Sequence, residues 1–281
     1  MNTQKPRKIG EILAEWSRYL ELSKSPGTAA AYSQMVGPWL RKLGASKLIE
    51  SVTFEAMQAF VNDPSLRRPA RCSRLAALRH LWRYAHRMGW VQHFQADAVF
   101  IDHRSMSLEQ LEARVRLPFT EDEYAAIAAN TEGFWHYAAA LGWWAGLRLG
   151  DICTLERSSV GQDEIIVWTR KRGKRVALPL DDPLIGSGEL RLVIRQMRVG
   201  TDAVYFFPEK RVRYIAGWDG SLSNEFAKIL REIGLKSCGK SFHSLRHSAV
   251  TRWKTAGKSL EEIGRLVAHS SQKTTQGYIH A

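Results

Sequence analysis

Residues 241–281 read SFHSLRHSAVTRWKTAGKSLEEIGRLVAHSSQKTTQGYIHA, and the rest of the chain is organised around them. The pattern predicts a helix from His243 to Ala256 ended by Gly257, then a second from Ser259 to Ala268 capped by Ser259. On the first helix His243 and Arg246 stand at i and i+3, so both project from one face. His243 and His247, at i and i+4, also have the spacing of a helical metal pair. No Glu completes a His-Glu-x-x-His pattern, and no metal site is expected. His269 and Tyr278 follow, nine residues apart. A phenol titrates near pH ~10. Tyr278 therefore needs cationic neighbours to become a nucleophile, and such groups also polarise a phosphate.

Upstream segments supply those neighbours. Phe134 to Ala145 is apolar enough to predict a buried helix, and Gly146-Leu147-Arg148-Leu149-Gly150-Asp151 follows at once. Arg148 lies between two glycines, where backbone can approach a ligand closely. Its guanidinium is either neutralised by Asp151 or held for a phosphate. Two arginines from distant segments plus a histidine suit a pentavalent phosphate, because planar fork donors match its equatorial oxygens. Glu164 to Thr169 and Arg175 to Leu178 predict a β-hairpin around Arg170-Lys171-Arg172-Gly173-Lys174. Such a turn can insert a lysine into a DNA groove. Ahead of this, Thr120-Glu121-Asp122-Glu123 has the capping-box form, and Pro118 begins a new unit.

The first hundred residues predict a basic four-helix module. Ile9 to Leu22 has helical apolar spacing, and Ser25-Pro26-Gly27-Thr28 breaks the chain with Thr28 as the next cap. A second helix, Ala29 to Leu43, is expected to kink near Gly37-Pro38. Thr53 to Val61 and Arg67 to Met88 complete the set. The last carries Arg67, Arg68, Arg71, Arg74, Arg79, Arg83 and Arg87 with no acidic residue among them, which points to phosphate. The candidate DNA contacts are Arg71, Arg74, Arg79 and Arg83, with Arg170, Arg172 and Lys174 in the hairpin. The expected organisation is a basic arm at 1–8, a helical domain at 9–96, a linker at 97–117 and a second domain at 118–281.

Composition agrees with a polyanionic partner. The 281 residues include 41 Lys and Arg against 28 Asp and Glu, a formal net charge of +13. The excess is distributed, with 15 basic and 7 acidic residues in 1–100 and 23 and 18 in 118–281. A protein this basic meets nucleic acid more often than any other partner. Three scattered cysteines, Cys72, Cys153 and Cys238, read as reduced thiols of a cytosolic protein. Neither a signal peptide nor a membrane-spanning run is visible.

In this order the motifs resemble the tyrosine recombinases, also called phage integrases, across residues 9–281. Ala145 to Asp151 resembles the first-arginine box, Lys171 the hairpin lysine, and His243-Ser244-Leu245-Arg246-His247 the second box. His269 and Tyr278 resemble the final histidine and the nucleophile. The resemblance implies a mainly α, two-domain fold. A four-helix core-binding (SAM-like) domain precedes a mixed α/β catalytic domain with a small antiparallel sheet. It implies cofactor-free strand exchange on double-stranded DNA with inverted half-sites, through a 3′-phosphotyrosyl link and a Holliday junction. Arg148, Arg246 and His269 are then expected to hold the phosphate oxygens, His243 to assist proton transfer, and Lys171 to protonate the leaving oxygen. The assembly implied is a monomer or weak oligomer without DNA and a homo-tetramer in synapsis. The expected location is the cytoplasm, at the nucleoid when DNA is bound.

Three positions depart from the family pattern. Ala268 stands where glycine usually precedes the histidine, Lys174 is a second candidate for the hairpin lysine, and three residues follow Tyr278. Type IB topoisomerases and telomere-resolving enzymes share the chemistry, but the helical N-terminal module and compact length favour a recombinase. A catalytically silent DNA-binding regulator on the same fold need not keep Tyr278 and both arginines.

Overall fold

The apolar spacing at the start of the chain is realised as α1 (Ile9–Ser23), which buries Ile9, Ile12, Leu13, Trp16 and Leu20. The structure, a computed structural model, describes residues 7–91, 95–108, 117–169, 173–198, 203–216, 219–235 and 239–268. The chain divides into two compact units, Met1–Arg114 and Val115–Ala281.

In the first unit α1 packs on α2 (Pro26–Gly44), and both pack on α4 (Arg68–Arg87), which also receives α3 (Phe54–Val61). The cap of α2 is Ser25 rather than Thr28. The Thr28 N–H donates to the Ser25 hydroxyl at 3.4 Å, and Pro26 takes the first helical position, where its missing N–H has no partner to lose. The helix runs through Pro38 as one element. Thr53 caps α3 as expected.

The sequence places the start of a linker at residue 97, but the first unit continues past it. A short helix α5 (Gln95–Ala98) buries Ala96, and Val99 joins the core. Side chains from α3 and α4 secure this return: Asn62 accepts the Asp102 N–H at 2.8 Å, and Arg79 donates to the Val99 carbonyl at 2.9 Å. Weak periodicity hid it, because the anchoring side chains lie some twenty to forty residues earlier.

The second unit opens with α6 (Glu121–Ala129), started by the Thr120–Glu123 capping box. Tyr124 of α6 stacks on Trp143 of α7 (Gly133–Trp144) with ring centroids 4.4 Å apart. Residues Ala138 to Trp143 of α7 are buried, as its composition requires. The short α8 (Leu149–Cys153) follows, then strands β1 (Glu164–Thr169) and β2 (Lys174–Pro179). These pair antiparallel with Thr169 opposite Lys174 and Glu164 opposite Pro179. Ile165, Val167, Val176 and Leu178 form the buried face of this hairpin, which packs β1 on α8. Next come α9 (Gly188–Arg198), α10 (Pro208–Ile215), α11 (Asp219–Glu232), α12 (Phe242–Thr255) and α13 (Leu260–Leu266), the last of which packs on β2. Among the described residues Tyr205 makes an isolated antiparallel bridge to Glu156.

The packing of α12 on α7 is close. A Cβ added to Gly142 would lie 3.1 Å from the Leu245 Cβ, so the two backbones approach at a glycine. Arg252 of α12 lies over the rings of Trp143 and Trp144 at 4.7 and 4.6 Å and donates to the Trp143 carbonyl at 2.7 Å. Burial there lowers its guanidinium to about 10. These contacts fix the helix that carries His243 and Arg246.

Candidate active site

A glycine ends α7 and begins the site. Gly146 adopts a left-handed backbone, φ 62°, and a Cβ on it would meet the Trp253 ring at 3.0 Å. Both the turn and the close packing therefore exclude a side chain there. Arg148 occupies the N-cap position of α8 in extended conformation, so its side chain leaves the chain where the helix starts. Its Nη1 lies 3.7 Å from the Asp151 Oδ2, and its side chain is 19% exposed against 6% for Asp151. At that distance the two form a loose ion pair in which the arginine side chain stays partly exposed.

Arg246 comes from the middle of α12 and is almost wholly buried. Its Nη1 donates to the Gly146 carbonyl at 2.6 Å, and its Nη2 donates to the Val267 carbonyl. The two acceptors come from different segments. Gly146 lies two residues before Arg148, and Val267 is the C-cap of α13, two residues before His269. One guanidinium thus ties the turn that presents the first arginine to the chain that leads into the final histidine. Hydrogen bonds from a buried cation contribute about 1.5–3 kcal/mol each. His243 stands one turn before Arg246, its ring edge-on to His247 with centroids 5.4 Å apart. A Ser241 capping box starts this helix.

The structure therefore ties Arg246 to the turn two residues before Arg148 and to Val267, with His243 on the same helix as Arg246. Lys171, Arg170, Arg172, His269 and Tyr278 lie outside the described residues. Lys174 is exposed at the first position of β2, where its backbone N–H donates to the Thr169 hydroxyl. Ala268 is the residue that departs from the family's glycine, and it takes φ 51° in the cap after α13. A side chain there carries the steric strain that glycine avoids.

The four arginines of α4 singled out as DNA contacts separate by burial. Arg71 is fully buried and spends its donors on the Leu66 carbonyl at 3.1 Å and the Ser105 hydroxyl at 3.1 Å. Arg74 bonds the Phe60 carbonyl and Asp63, and lies over the Phe60 ring. Arg79 bonds the Ala96, Asp97 and Val99 carbonyls. Only Arg83 of the four has a largely exposed side chain, 61%, loosely paired with Asp97 at 3.8 Å. Of the three cysteines two lie among the described residues. Cys153 is buried, which pushes its thiol up to about 12, and Cys72 is exposed. Sequence reading missed α10, whose Tyr214 lies against Gly150; the Pro208 start and the alternation of Val212 and Ile215 with charged residues were its only signals.

Residues 118–281 match the model of the phage integrase family, and the chain belongs to that family. Among curated relatives, tyrosine recombinase XerC of Syntrophus aciditrophicus is 22% identical, over 96% of this chain and 93% of its own. Tyrosine recombinase XerD of Vibrio vulnificus is 24% identical over 93% and 87%. Among solved structures, a lambda integrase dimer bound to a COC′ core site matches with TM-score 0.75 at 18% identity, over 99% of this chain and 79% of that one. A lambda integrase tetramer bound to a Holliday junction also gives 0.75, at 19% identity over the same shares. These likenesses extend the shared fold over both units.

Proposed function

We propose that this protein cuts and rejoins double-stranded DNA at a specific site, with Tyr278 as nucleophile. The phenol oxygen attacks a backbone phosphorus, a 3′-phosphotyrosyl bond forms, and the bond from phosphorus to the 5′-oxygen breaks. Lys171 protonates the departing 5′-oxygen, with Lys174 as the other candidate in that hairpin. The covalent link conserves the energy of the broken bond, and a 5′-hydroxyl from the partner strand reverses the step. Arg148, Arg246 and His269 neutralise the charge that builds on the non-bridging oxygens, and His243 assists proton transfer. The residues of this scheme need neither a metal nor an organic cofactor.

The observation that supports this reading is the bond from Arg246 to the Gly146 carbonyl, one hundred residues earlier in the chain and two residues before Arg148. Both units meet DNA in this account, the first through exposed cations such as Arg83 and the second through the hairpin. The target carries inverted half-sites, and four protomers with a Holliday junction intermediate complete the scheme by analogy with the lambda integrase tetramer bound to such a junction. Among the described residues no helix is long and apolar enough to cross a membrane. The proposed setting is the cytoplasm, at the nucleoid.

The test begins with a footprint of the protein on DNA flanking its own gene, which supplies the site. A duplex of that site, nicked beside the scissile phosphate, loses its small fragment on cleavage and traps the link. A covalent protein–DNA adduct that forms equally in EDTA is expected. Site-specific binding without any adduct would instead support a silent regulator.

A further inference from the structure

The first arginine sits at the start of a helix that cannot hold itself in place. With only five residues, α8 is far shorter than a helix that is stable alone, so its packing partners set its direction. Ile152 and Cys153 anchor it in the core. Gly150 meets a different neighbour, Tyr214 of α10. A Cβ built on Gly150 would lie 2.2 Å from the Tyr214 Oη, 2.4 Å from its Cζ and 3.0 Å from its Cε2. The tip of the phenol ring therefore rests on the Gly150 α-carbon, in space that only a hydrogen can share. Glycine is unfavourable inside a helix. Its presence here, two residues after Arg148, makes room for that ring.

Tyr214 is itself held firmly. Lys210 and Arg213 of α10 pair with Glu225 of α11 at 3.1 and 2.5 Å, and Arg213 also bonds Ser221 at 2.9 Å. Lys210 lies over the Phe134 and Trp135 rings of α7 at 5.2 and 5.7 Å. The brace thus connects the first turn of α8 to α7 and α11. We infer that Tyr214 is a positioning residue for Arg148, pressing the first turn of α8 into the orientation that aims its guanidinium at the scissile phosphate. The inference rests on the recombinase reading above and adds to it a residue outside the motif set.

The experiment measures adduct formation on the nicked duplex at saturating protein. Tyr214→Ala is expected to cleave about tenfold or more slowly, since small misplacements of a catalytic group are costly. Tyr214→Phe keeps the ring and is expected to recover most of that rate. A second duplex carries a neutral methylphosphonate at the scissile position, which removes the charge a guanidinium would stabilise. On it the defects of Tyr214→Ala and Arg148→Ala should shrink together, a pattern that general loosening of the fold does not produce. Equal slowing of Tyr214→Ala on both duplexes, or full speed on the phosphate, overturns the inference while leaving the recombinase reading intact. Absence of an adduct from the unmutated protein removes both.

Discussion

Arg71 in the first unit and Arg246 in the second share a helix setting, near-complete burial and backbone carbonyl acceptors, yet they hold different things together. Arg71 closes the start of α4 onto its own unit, through the Leu66 carbonyl and the Ser105 hydroxyl. The acceptors of Arg246 each lie two residues from another candidate catalytic group. Burial and bonding alone do not separate a structural arginine from a catalytic one. What separates them is the segment to which each acceptor belongs.

The largest expected effect follows from that difference. Arg246→Ala should slow adduct formation by about 10²- to 10³-fold, the usual consequence of losing a donor aimed at developing charge. Arg246→Lys should recover little, because an ammonium does not reproduce the planar fork that spans two carbonyls. Near-normal cleavage by either variant breaks the comparison from the catalytic side. Arg71→Ala is expected to lower unfolding stability by about 3 kcal/mol, because the Leu66 carbonyl and the Ser105 hydroxyl lose their bonds to a buried charged group. Its cleavage rate at saturating DNA should stay within about twofold of the unmutated protein, since no step is routed through it. A stable Arg71→Ala protein that binds DNA but does not cleave would break the comparison from the other side.

Ala268 sharpens it at a smaller scale. Glycine at this left-handed position should raise stability by about 1 kcal/mol in denaturant unfolding. An unchanged or lower midpoint for Ala268→Gly would mean that the cap after α13 is not strained.

The smallest effect concerns pH, where the two units should part. Burial, then the charges of Lys24, Arg83 and Arg87, hold His80 of the first unit below its ordinary 6.5. The unfolded chain takes up that proton first, so this contribution is complete above 6.5 and declines as pH falls toward the folded value. In the second unit burial pushes Glu123 and Glu225 up. Hydrogen bonds and charge from Lys240 for Glu123, and from Arg213 and Lys210 for Glu225, outweigh it and leave both below 4.5. Their contribution is present above 4.5 and lost only on further acidification. Hydrogen exchange between pH 7 and 5 should show α1 and α4 losing protection before α6 and α11. Simultaneous loss would contradict this assignment.

Much of this architecture was legible in the sequence because local rules decide it. Caps at Thr53, Thr120 and Ser259, glycine stops after α4 and α12, and the alternation around residues 164–178 are short-range signals. The arginine motifs were legible as spacing. What the sequence did not disclose is where a donor goes. Seven arginines on one helix read as a phosphate-binding surface, but Arg74 and Arg79 turn inward to carbonyls distant in sequence, and Arg71 to the nearby Leu66 carbonyl and the distant Ser105 hydroxyl. The brace of Tyr214 on Gly150 was hidden for the same reason, since the two residues meet only after the chain has folded.

The most direct test of the central claim is to locate the covalent bond. The adduct from the nicked duplex would be digested with nuclease and trypsin, and the peptides read by tandem mass spectrometry. The expected result is a nucleotide on Tyr278, in the peptide that begins at Thr274, and no adduct from Tyr278→Phe although it still binds the site. A nucleotide on any other residue, or a normal adduct from Tyr278→Phe, would contradict it.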